Sequence, residues 1–282
     1  MPLNAKIILA LIVPEYVITL VTFLAVFLLA SKQVSLLPLL AVPFVVYLLA
    51  LFGFNAINQV FDAKMDAITK PKRPIPSKKV TKYEATVFSA LLFGLSFILA
   101  FFTNLIMPWF LFVIVTFLYS HPRVYLRKYL IATPLFGMLF YAVVPFLFVS
   151  AYFGLPINYL FLVFFSLIIA CVSILKDIED IKAEKMFGIK SIPSILGEYL
   201  TVQVSVFSLL AIILLFGTIF ILGNLLFIWS TIIALVFVFA IGTFVLFRQY
   251  FGKVLTSSRI LAIFMVVVVV VQLIFGLSVF LI

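Results

Sequence analysis

Long apolar runs follow one another along the whole chain, and short polar or charged segments separate them. A helix that crosses a hydrocarbon core about 30 Å thick needs about 20 mostly apolar residues, and it satisfies its own backbone hydrogen bonds within lipid. Strands of membrane barrels alternate apolar and polar residues, whereas these runs are continuous. The pattern predicts an all-α polytopic membrane helical bundle with about nine transmembrane helices, at residues 7–30, 35–61, 84–102, 104–119, 130–153, 158–176, 199–222, 224–247 and 260–282.

The composition excludes a soluble globular protein. The chain has 282 residues, of which 67% are hydrophobic and 10% are charged, whereas soluble domains are about 45–50% apolar and about 25% charged. We interpret residues 1–282 as a single transmembrane domain that contacts membrane lipid, and we expect no nucleic-acid partner. Cys171 is the only cysteine, so no intrachain disulfide can form.

The basic residues predict an orientation in the membrane. All Lys and Arg residues except Lys32 lie before the first predicted helix or in the loops after the second, fourth, sixth and eighth. Positive residues mark the cytoplasmic side of a membrane protein. We therefore expect a multi-pass protein of the cell membrane, with its N-terminus and these loops in the cytoplasm and its C-terminus outside.

Two groups of oxygen-bearing side chains end the second and sixth predicted helices, on the same side. The first group, spaced i, i+4, i+8, is Asn58, Asp62 and Asp66. The second group, spaced i, i+3, i+7, is Asp177, Asp180 and Glu184. Each spacing keeps its members on one helical face. An Ile-Pro-Ser tail follows each group, which hints at an internal duplication of the motif loops 58–82 and 176–198.

The residue types in these groups favour one kind of chemistry. Mg²⁺ typically takes one or two carboxylates and fills its other positions with water and substrate phosphates. Basic side chains lie among the acids, namely Lys70, Arg73, Lys176 and Lys190. Acids for metal ions beside cations for phosphate oxygens favour a bound diphosphate. The alternative is a purely structural network of salt bridges.

Both motifs resemble those of the UbiA superfamily of intramembrane prenyltransferases. The first reads Asn58-xxx-Asp62-xxx-Asp66 and runs on into Lys70-Pro-Lys-Arg73-Pro-Ile-Pro-Ser. The second reads Asp177-xx-Asp180-xxx-Glu184 and runs on into Gly188-Ile-Lys-Ser-Ile-Pro. The resemblance covers nearly the whole chain. It implies a helical bundle around a central cavity that opens sideways to lipid and is capped by cytoplasmic loops.

The resemblance also implies a reaction. A polyprenyl group would be transferred, with Mg²⁺, from a polyprenyl diphosphate donor to a hydrophobic, lipid-soluble acceptor. The acceptor would be an aromatic quinone precursor or of the geranylgeranylglyceryl phosphate type. The run 176–180 is more similar to the branch that acts on geranylgeranylglyceryl phosphate or homogentisate-type acceptors than to the 4-hydroxybenzoate branch. Two alternatives stay open: a non-catalytic relative that binds prenyl lipids, and a cation-coupled transporter.

The roles that the resemblance implies fall on three sets of residues. The metal ligands would be Asn58, Asp62, Asp66, Asp177, Asp180 and Glu184. The catalytic residues would be Asp62, Asp66 and Asp180. The substrate-binding residues would be Asn58, Lys70, Arg73, Lys176, Lys190, Tyr125, Arg127 and Lys128. For Lys70 and Lys190 the alternative is a topology signal alone.

The loop after the fourth predicted helix carries Tyr125, Arg127 and Lys128 and is similar to a third family segment that lies over the cavity. Its alternative role is interfacial anchoring, which Tyr, Lys and Arg commonly provide. Three positions depart from the usual motifs of the family. They are Gln59 in place of Asp, Glu184 in place of Asp, and Val13 where many members have Arg before a proline. Glu184 is one methylene longer than Asp and can still bind a metal ion, whereas loss of the Arg removes a cation from the edge of the site.

Overall fold

The computed structural model describes residues 22–25, 39–225, 227–246 and 257–280, and within these ranges it contains helices and no strands. The α-helices are α1 Ala41–Phe61, α2 Ala63–Thr69, α3 Lys82–Phe102, α4 Ile106–Ser120, α5 Ala132–Met138, α6 Val144–Phe153, α7 Tyr159–Ser173, α8 Ile181–Met186, α9 Ile192–Gly223, α10 Phe227–Leu246 and α11 Ser257–Phe280. The other helical segments are the 3₁₀ turns Leu126–Lys128 and Ile174–Asp180 and the π-helical segment Leu139–Val143.

The described residues confirm an all-α membrane protein. Six helical spans in them are long and apolar enough to cross a bilayer: Ala41–Phe61, Lys82–Phe102, Ala132–Phe153, Tyr159–Met186, Ile192–Gly223 and Phe227–Val245. Two shorter apolar helices are Ile106–Ser120 and Ala262–Ser278. Most of the first predicted helix, 7–30, lies outside the described residues, and 22–25 are helical. The count of nine therefore stays approximate.

Small residues bring α1 and α3 into close contact. The Ser89 hydroxyl donates to the Gly53 carbonyl at 2.7 Å, and the Ser96 hydroxyl donates to the Val46 carbonyl at 2.8 Å. The indole N–H of Trp109, on α4, donates to the Ser96 hydroxyl at 3.0 Å. Such small and hydroxyl-bearing residues hold helices together in membranes, where apolar contact alone has little driving force.

Buried aromatic side chains fill the interior of the bundle. The ring centroids of Phe54 and Phe140 are 5.0 Å apart, and those of Tyr47 and Phe112 are 5.3 Å apart. Tyr47 also meets Phe148 at 5.5 Å in an edge-to-face arrangement. All five side chains are buried. Together they form an aromatic column between α1, α4, the π-helical segment Leu139–Val143 and α6.

A π-helical segment interrupts the helix that runs from α5 to α6. Its i→i+5 pattern joins the Val144 N–H to the Leu139 carbonyl, so the next acceptor, the carbonyl of Phe140, faces Pro145. Proline has no N–H to donate. The hydroxyl of Tyr47 donates to that carbonyl instead. A backbone group that would be unsatisfied inside the membrane thereby has a partner.

The helix ends that carry the acidic residues differ in detail from the predicted ones. The helix predicted over 158–176 ends at Ser173 and continues as the 3₁₀ turn Ile174–Asp180 and then α8. A 3₁₀ helix has three residues per turn, so Asp177 and Asp180 still share a face. The helix predicted over 199–222 begins at Ile192, with a break at Gly197, whose φ is 78°.

Candidate active site

The two acidic motifs meet at one end of the bundle. The Nζ atom of Lys70, which follows the first motif, lies 2.8 Å from both carboxylate oxygens of Asp180 in the second motif. Asp62, Asp66 and Asp180 are each at most 4% exposed. A second contact joins two of the loops by their backbones, since the Lys190 N–H donates to the Lys128 carbonyl at 3.2 Å. The loops after α1, α4 and α7 therefore close over the same region.

Arg127 lies between the two motifs. Its Nη1 atom donates to Asp62, its Nη2 atom donates to Asp180 at 3.0 Å, and Nη2 is 3.9 Å from Asp177. Arg127 is 4% exposed. Burial alone would lower the pKa of its guanidinium, but Asp62 and the other nearby carboxylates raise the pKa well above its ordinary value. Arg127 thus stays charged and neutralises acids from both motifs.

Arg73 pairs with the last acid of the first motif. Its Nη1 atom lies 2.9 Å and 2.8 Å from the two carboxylate oxygens of Asp66. Burial raises the pKa of the Asp66 carboxyl above its ordinary value, although the Arg73 charge opposes this. One arginine therefore does not fully offset the burial of this carboxylate, and a further cation would stabilise its charged form.

Hydroxyl groups from neighbouring helices orient three of the motif side chains. Thr133 donates to Asp177, and Ser191 donates to Glu184. The third hydroxyl, of Ser120 on α4, donates to the amide oxygen of Asn58 at 2.6 Å. The Asn58 amide nitrogen in turn donates to Asp62 at 3.1 Å. Asn58 thus turns its nitrogen, not its oxygen, toward the acids.

Sequence reasoning did not identify Thr133, Ser191 or Ser120 as site residues. Each is a single hydroxyl-bearing residue in or beside an apolar helix, and each contacts a residue of another helix or of the preceding loop. The sequence carries a weak signal for both Ser120 and Thr133, because they lie in or next to the loop that is similar to a family segment.

A partly enclosed cavity lies against the motifs. Its polar wall consists of Asn55, Asn58, Gln59, Asp62, Lys70, Arg73, Arg127, Thr133, Ser173, Lys176 and Asp180. Its apolar wall consists of Phe54, Tyr119, Phe136, Gly137, Phe140 and Tyr141. One hollow is thus lined both by charged side chains, suited to a diphosphate, and by aromatic side chains, suited to a hydrocarbon chain.

Some predicted substrate-binding residues lie outside this cavity. Lys190 and Lys128 are exposed, and the Lys128 ammonium lies 5.1 Å from the centroid of the Tyr129 ring. Tyr125 is half-buried and packs against Met65 and a residue of α8, Ala183. Lys176 is half-buried and lines the cavity. The structure therefore groups Lys70, Arg73, Arg127 and Lys176 with the acids, and it does not group Lys128 and Lys190 with them.

Two of the three departures from the usual motifs, Gln59 and Glu184, are buried at the site. Gln59 is buried at the cavity wall, and its Oε1 atom has no hydrogen-bond donor. Glu184 is fully buried and accepts from Ser191. Val13, and with it the third departure, lies outside the described residues.

The buried acids fit a magnesium ion that is coordinated partly by carboxylates and partly by a diphosphate. Oδ1 of Asp177 and Oε1 of Glu184 are buried and receive no hydrogen bond. Across the described ranges, no three His, Cys, Asp or Glu side chains are grouped closely enough to hold a metal by themselves. Mg²⁺ typically takes one or two carboxylates and completes its coordination with water and substrate phosphates.

Comparison with known proteins decides the family. The sequence profile of the UbiA prenyltransferase family matches residues 19–268. The chain belongs to this family. The resemblance inferred from the two acidic motifs is thereby confirmed, and it extends over most of the chain.

Curated members of the UbiA family are similar to parts of this chain. Digeranylgeranylglyceryl phosphate synthase of Methanocaldococcus jannaschii is 34% identical over 164 residues, which are 58% of this chain and 57% of that one. The synthase of the same name from Methanosarcina mazei is 37% identical over 160 residues, 54% of this chain and 53% of that one. The matched part thus spans a little over half the length of these relatives.

Solved UbiA structures share the fold over nearly the whole chain. A UbiA homologue from Archaeoglobus fulgidus bound to GPP and Mg²⁺ aligns over 98% of this chain and 100% of its own, with a TM-score of 0.68 and 15% identity. A structure of digeranylgeranylglyceryl phosphate synthase aligns over 99% of both chains, with a TM-score of 0.63 and 23% identity. At these identities the likeness establishes the fold.

Proposed function

We propose that this UbiA family member transfers a polyprenyl group from a polyprenyl diphosphate to a lipid-soluble acceptor, with Mg²⁺. The observation that carries the proposal is the convergence of Lys70 and Arg127 with acids of both motifs around one cavity. A diphosphate needs cations on its oxygens and divalent ions between it and carboxylates. Residues for both tasks line or adjoin the same hollow.

The acids divide into two sets that would hold Mg²⁺. Asp62 and Asp66 form the set of the first motif, and Asp177, Asp180 and Glu184 form the set of the second. Bound Mg²⁺ would neutralise charge that develops on the departing diphosphate, which is commonly a large part of catalysis in such reactions. Asn58 would orient Asp62 through its amide N–H rather than bind an ion through its oxygen.

The protein's own cations would hold the diphosphate while the bond to the prenyl carbon breaks. Lys70, Arg73 and Arg127 each lie within hydrogen-bond distance of a motif carboxylate and line the cavity, so each is already positioned beside the acids. Lys176 lines the same cavity. The aromatic wall would exclude water from the carbocation, and ring faces stabilise a nearby cation by about 0.5–2 kcal/mol each.

For the acceptor we propose a lipid of the geranylgeranylglyceryl phosphate type. The curated relatives that match this chain at 34% and 37% identity are named digeranylgeranylglyceryl phosphate synthases. Their names favour this acceptor over an aromatic quinone precursor. An anionic acceptor of this kind would also suit the basic residues that surround the site.

We further propose that residues 1–282 form a single domain, with the N-terminus and both acidic motifs in the cytoplasm and the C-terminus outside. The support is that the loops after α1, α4 and α7, which are rich in Lys and Arg, lie together at one end of the bundle. The duplication of loops 58–82 and 176–198 stays a prediction.

Product analysis tests the proposed function. Purified protein in lipid is incubated with Mg²⁺, labelled geranylgeranyl diphosphate and a pool of acceptors that includes geranylgeranylglyceryl phosphate and aromatic quinone precursors. Mass spectrometry is expected to find one prenylated product, which depends on Mg²⁺ and disappears in Asp62→Asn. The control Lys182→Gln, at an exposed position between Asp180 and Glu184, is expected to keep wild-type turnover. Binding of the diphosphate without turnover, over the whole pool, would instead favour the non-catalytic alternative.

A further inference from the structure

Arg127 is bound by the same carboxylates that the proposed function assigns to metal ions. Its guanidinium contacts Asp62 of the first motif and Asp180 of the second, and it lies near Asp177. A carboxylate oxygen that binds a guanidinium N–H cannot at the same time give its full charge to a magnesium ion. Arg127 and a divalent cation therefore compete for the acids.

The loop that carries Arg127 packs against segments of both motifs. The residue lies in the short 3₁₀ turn Leu126–Lys128, and Tyr125 before it adopts a left-handed conformation with φ of 43°. The Tyr125 side chain packs against Met65 of α2 and a small apolar cluster, whose members from the second motif are Ala183 and Ile189. A change of partners by Arg127 would therefore involve its side chain while the loop stays in place.

One donor of this buried guanidinium has no acceptor. The Nε atom of Arg127 is buried and makes no hydrogen bond. Leaving a buried donor unpaired costs free energy, and the cost is larger for a charged group. A ligand rich in oxygen acceptors at this place would satisfy Nε, and a diphosphate is such a ligand.

We propose that Arg127 is an exchangeable counter-ion that couples the binding of metal and diphosphate. Without ligands it neutralises Asp62 and Asp180; when Mg²⁺ takes those acids, the guanidinium passes to the diphosphate oxygens. Metal alone must displace Arg127 from the acids without offering it a new partner, so it binds weakly. Metal and diphosphate together satisfy every charge, so they bind cooperatively. This inference rests on the proposed function, and it adds an order to the binding.

Binding of Mn²⁺, measured by electron paramagnetic resonance with and without pyrophosphate, tests the proposal. Wild-type protein is expected to bind Mn²⁺ weakly alone and at least about fivefold more tightly with pyrophosphate, within the ordinary range of coupling between sites. Arg127→Gln is expected to bind Mn²⁺ alone more tightly than wild type and to lose most of the gain from pyrophosphate. A general effect of positive charge would change both affinities equally in any nearby variant.

Two further variants complete the design. Arg123→Gln removes the same charge from an exposed position of the same loop and is expected to leave both affinities unchanged. Arg127→Lys keeps a charge and so guards against loss of fold, but its ammonium lacks the planar fork that spans two carboxylates, so it is expected to show a weaker form of the same change. If wild type binds both probes cooperatively and Arg127→Gln does not tighten Mn²⁺ alone, the exchange is refuted and the proposed function stands. If wild type binds neither probe, the proposed function itself fails.

Discussion

Lys70 reaches from the end of the first acidic motif to Asp180 in the second, where its Nζ atom lies 2.8 Å from both carboxylate oxygens. The two residues are 110 positions apart in sequence. Because Asp180 is 1% exposed and Lys70 is partly exposed, the pair lies at the edge of the closed region. This contact, like that of Arg127 with Asp180, joins the first half of the chain to the second beside the cavity.

Replacement of Lys70 is expected to weaken donor binding. In Lys70→Met the diphosphate loses a charge-assisted contact, commonly worth about 1.5–3 kcal/mol, so KM for the donor is expected to rise roughly tenfold to a hundredfold. Initial rates over a range of donor concentrations measure the effect. Lys64→Met, at an exposed position of α2, provides the control. An equal change in both variants would show that Lys70 contributes only overall charge.

Gly137 is expected to tolerate no larger side chain. A Cβ atom at this position would lie 2.6 Å from Cβ and 2.7 Å from Oγ of Ser173, so Gly137→Ala would push α5 away from α7. The Thr133–Asp177 hydrogen bond joins α5 to the 3₁₀ turn that continues α7, one turn away from Gly137 and Ser173. Turnover is expected to fall about tenfold to a hundredfold, since small displacements of positioned groups have effects of this size.

The matched control for Gly137→Ala is Gly94→Ala. Gly94 lies on an exposed face of α3, and a Cβ atom there would meet nothing within 4 Å. Alanine favours helix over glycine by about 0.5–1 kcal/mol, so this variant is expected to retain activity with equal or higher thermal stability. Full activity in Gly137→Ala would contradict the close packing of α5 and α7.

The hydroxyl group of Tyr47 is expected to contribute to stability in addition to its buried ring. In Tyr47→Phe the carbonyl of Phe140 loses the hydroxyl that takes the place of the missing Pro145 N–H. An unpaired buried acceptor costs about 1–3 kcal/mol. The unfolding temperature in detergent, followed by loss of the monodisperse species on heating, is expected to fall. Tyr83→Phe, at a position 78% exposed, is expected to leave it unchanged; equal unfolding temperatures in both variants would contradict the role given to Tyr47.

Phe140 is expected to limit how far a prenyl chain extends along the bundle. It lines the cavity together with Phe54 and packs against buried Phe112, which does not line the cavity, so it stands between the hollow and the aromatic column. Phe140→Ala is expected to shift the donor with the highest kcat/KM to a chain at least one isoprene unit longer. A series of donors of increasing length, each assayed separately, measures the shift.

The control for Phe140→Ala is Phe165→Ala, which removes a fully buried ring that does not line the cavity. Both variants lose packing of similar size, so a difference in donor preference would come from the cavity and not from stability. An unchanged preference in Phe140→Ala would mean that the chain leaves the cavity sideways above this residue.

The fold class and the acidic motifs could be predicted from sequence because each depends on local pattern. Apolar run length sets the helices, and the spacing of Asp62 and Asp66 or of Asp177 and Asp180 sets a shared face. Asp177 and Asp180 share a face although their segment is a 3₁₀ helix and not an α-helix, because both helix types bring residues three positions apart close together.

The partners of those acids could not be predicted because they depend on which helices are neighbours. Arg127 was an expected substrate-binding residue in a loop that also suited interfacial anchoring, yet it is buried between the two motifs. Thr133 gives no periodic signal, because one hydroxyl in an apolar helix is compatible with bonding to its own backbone. The exposed Lys128 has the same side-chain charge as Arg127, and only the fold separates the two.

The central claim is that both acidic motifs bind divalent ions around one shared diphosphate. Crystals grown with Mn²⁺ and a non-hydrolysable prenyl diphosphate analogue, measured at the manganese absorption edge, locate the ions directly. We predict anomalous peaks beside the diphosphate, at about 2–2.2 Å from carboxylate oxygens of Asp62 or Asp66 and of Asp180 or Glu184, close to the distances of oxygen-bound magnesium. Peaks confined to one motif, or a diphosphate bound away from Lys70 and Arg127, would contradict the claim.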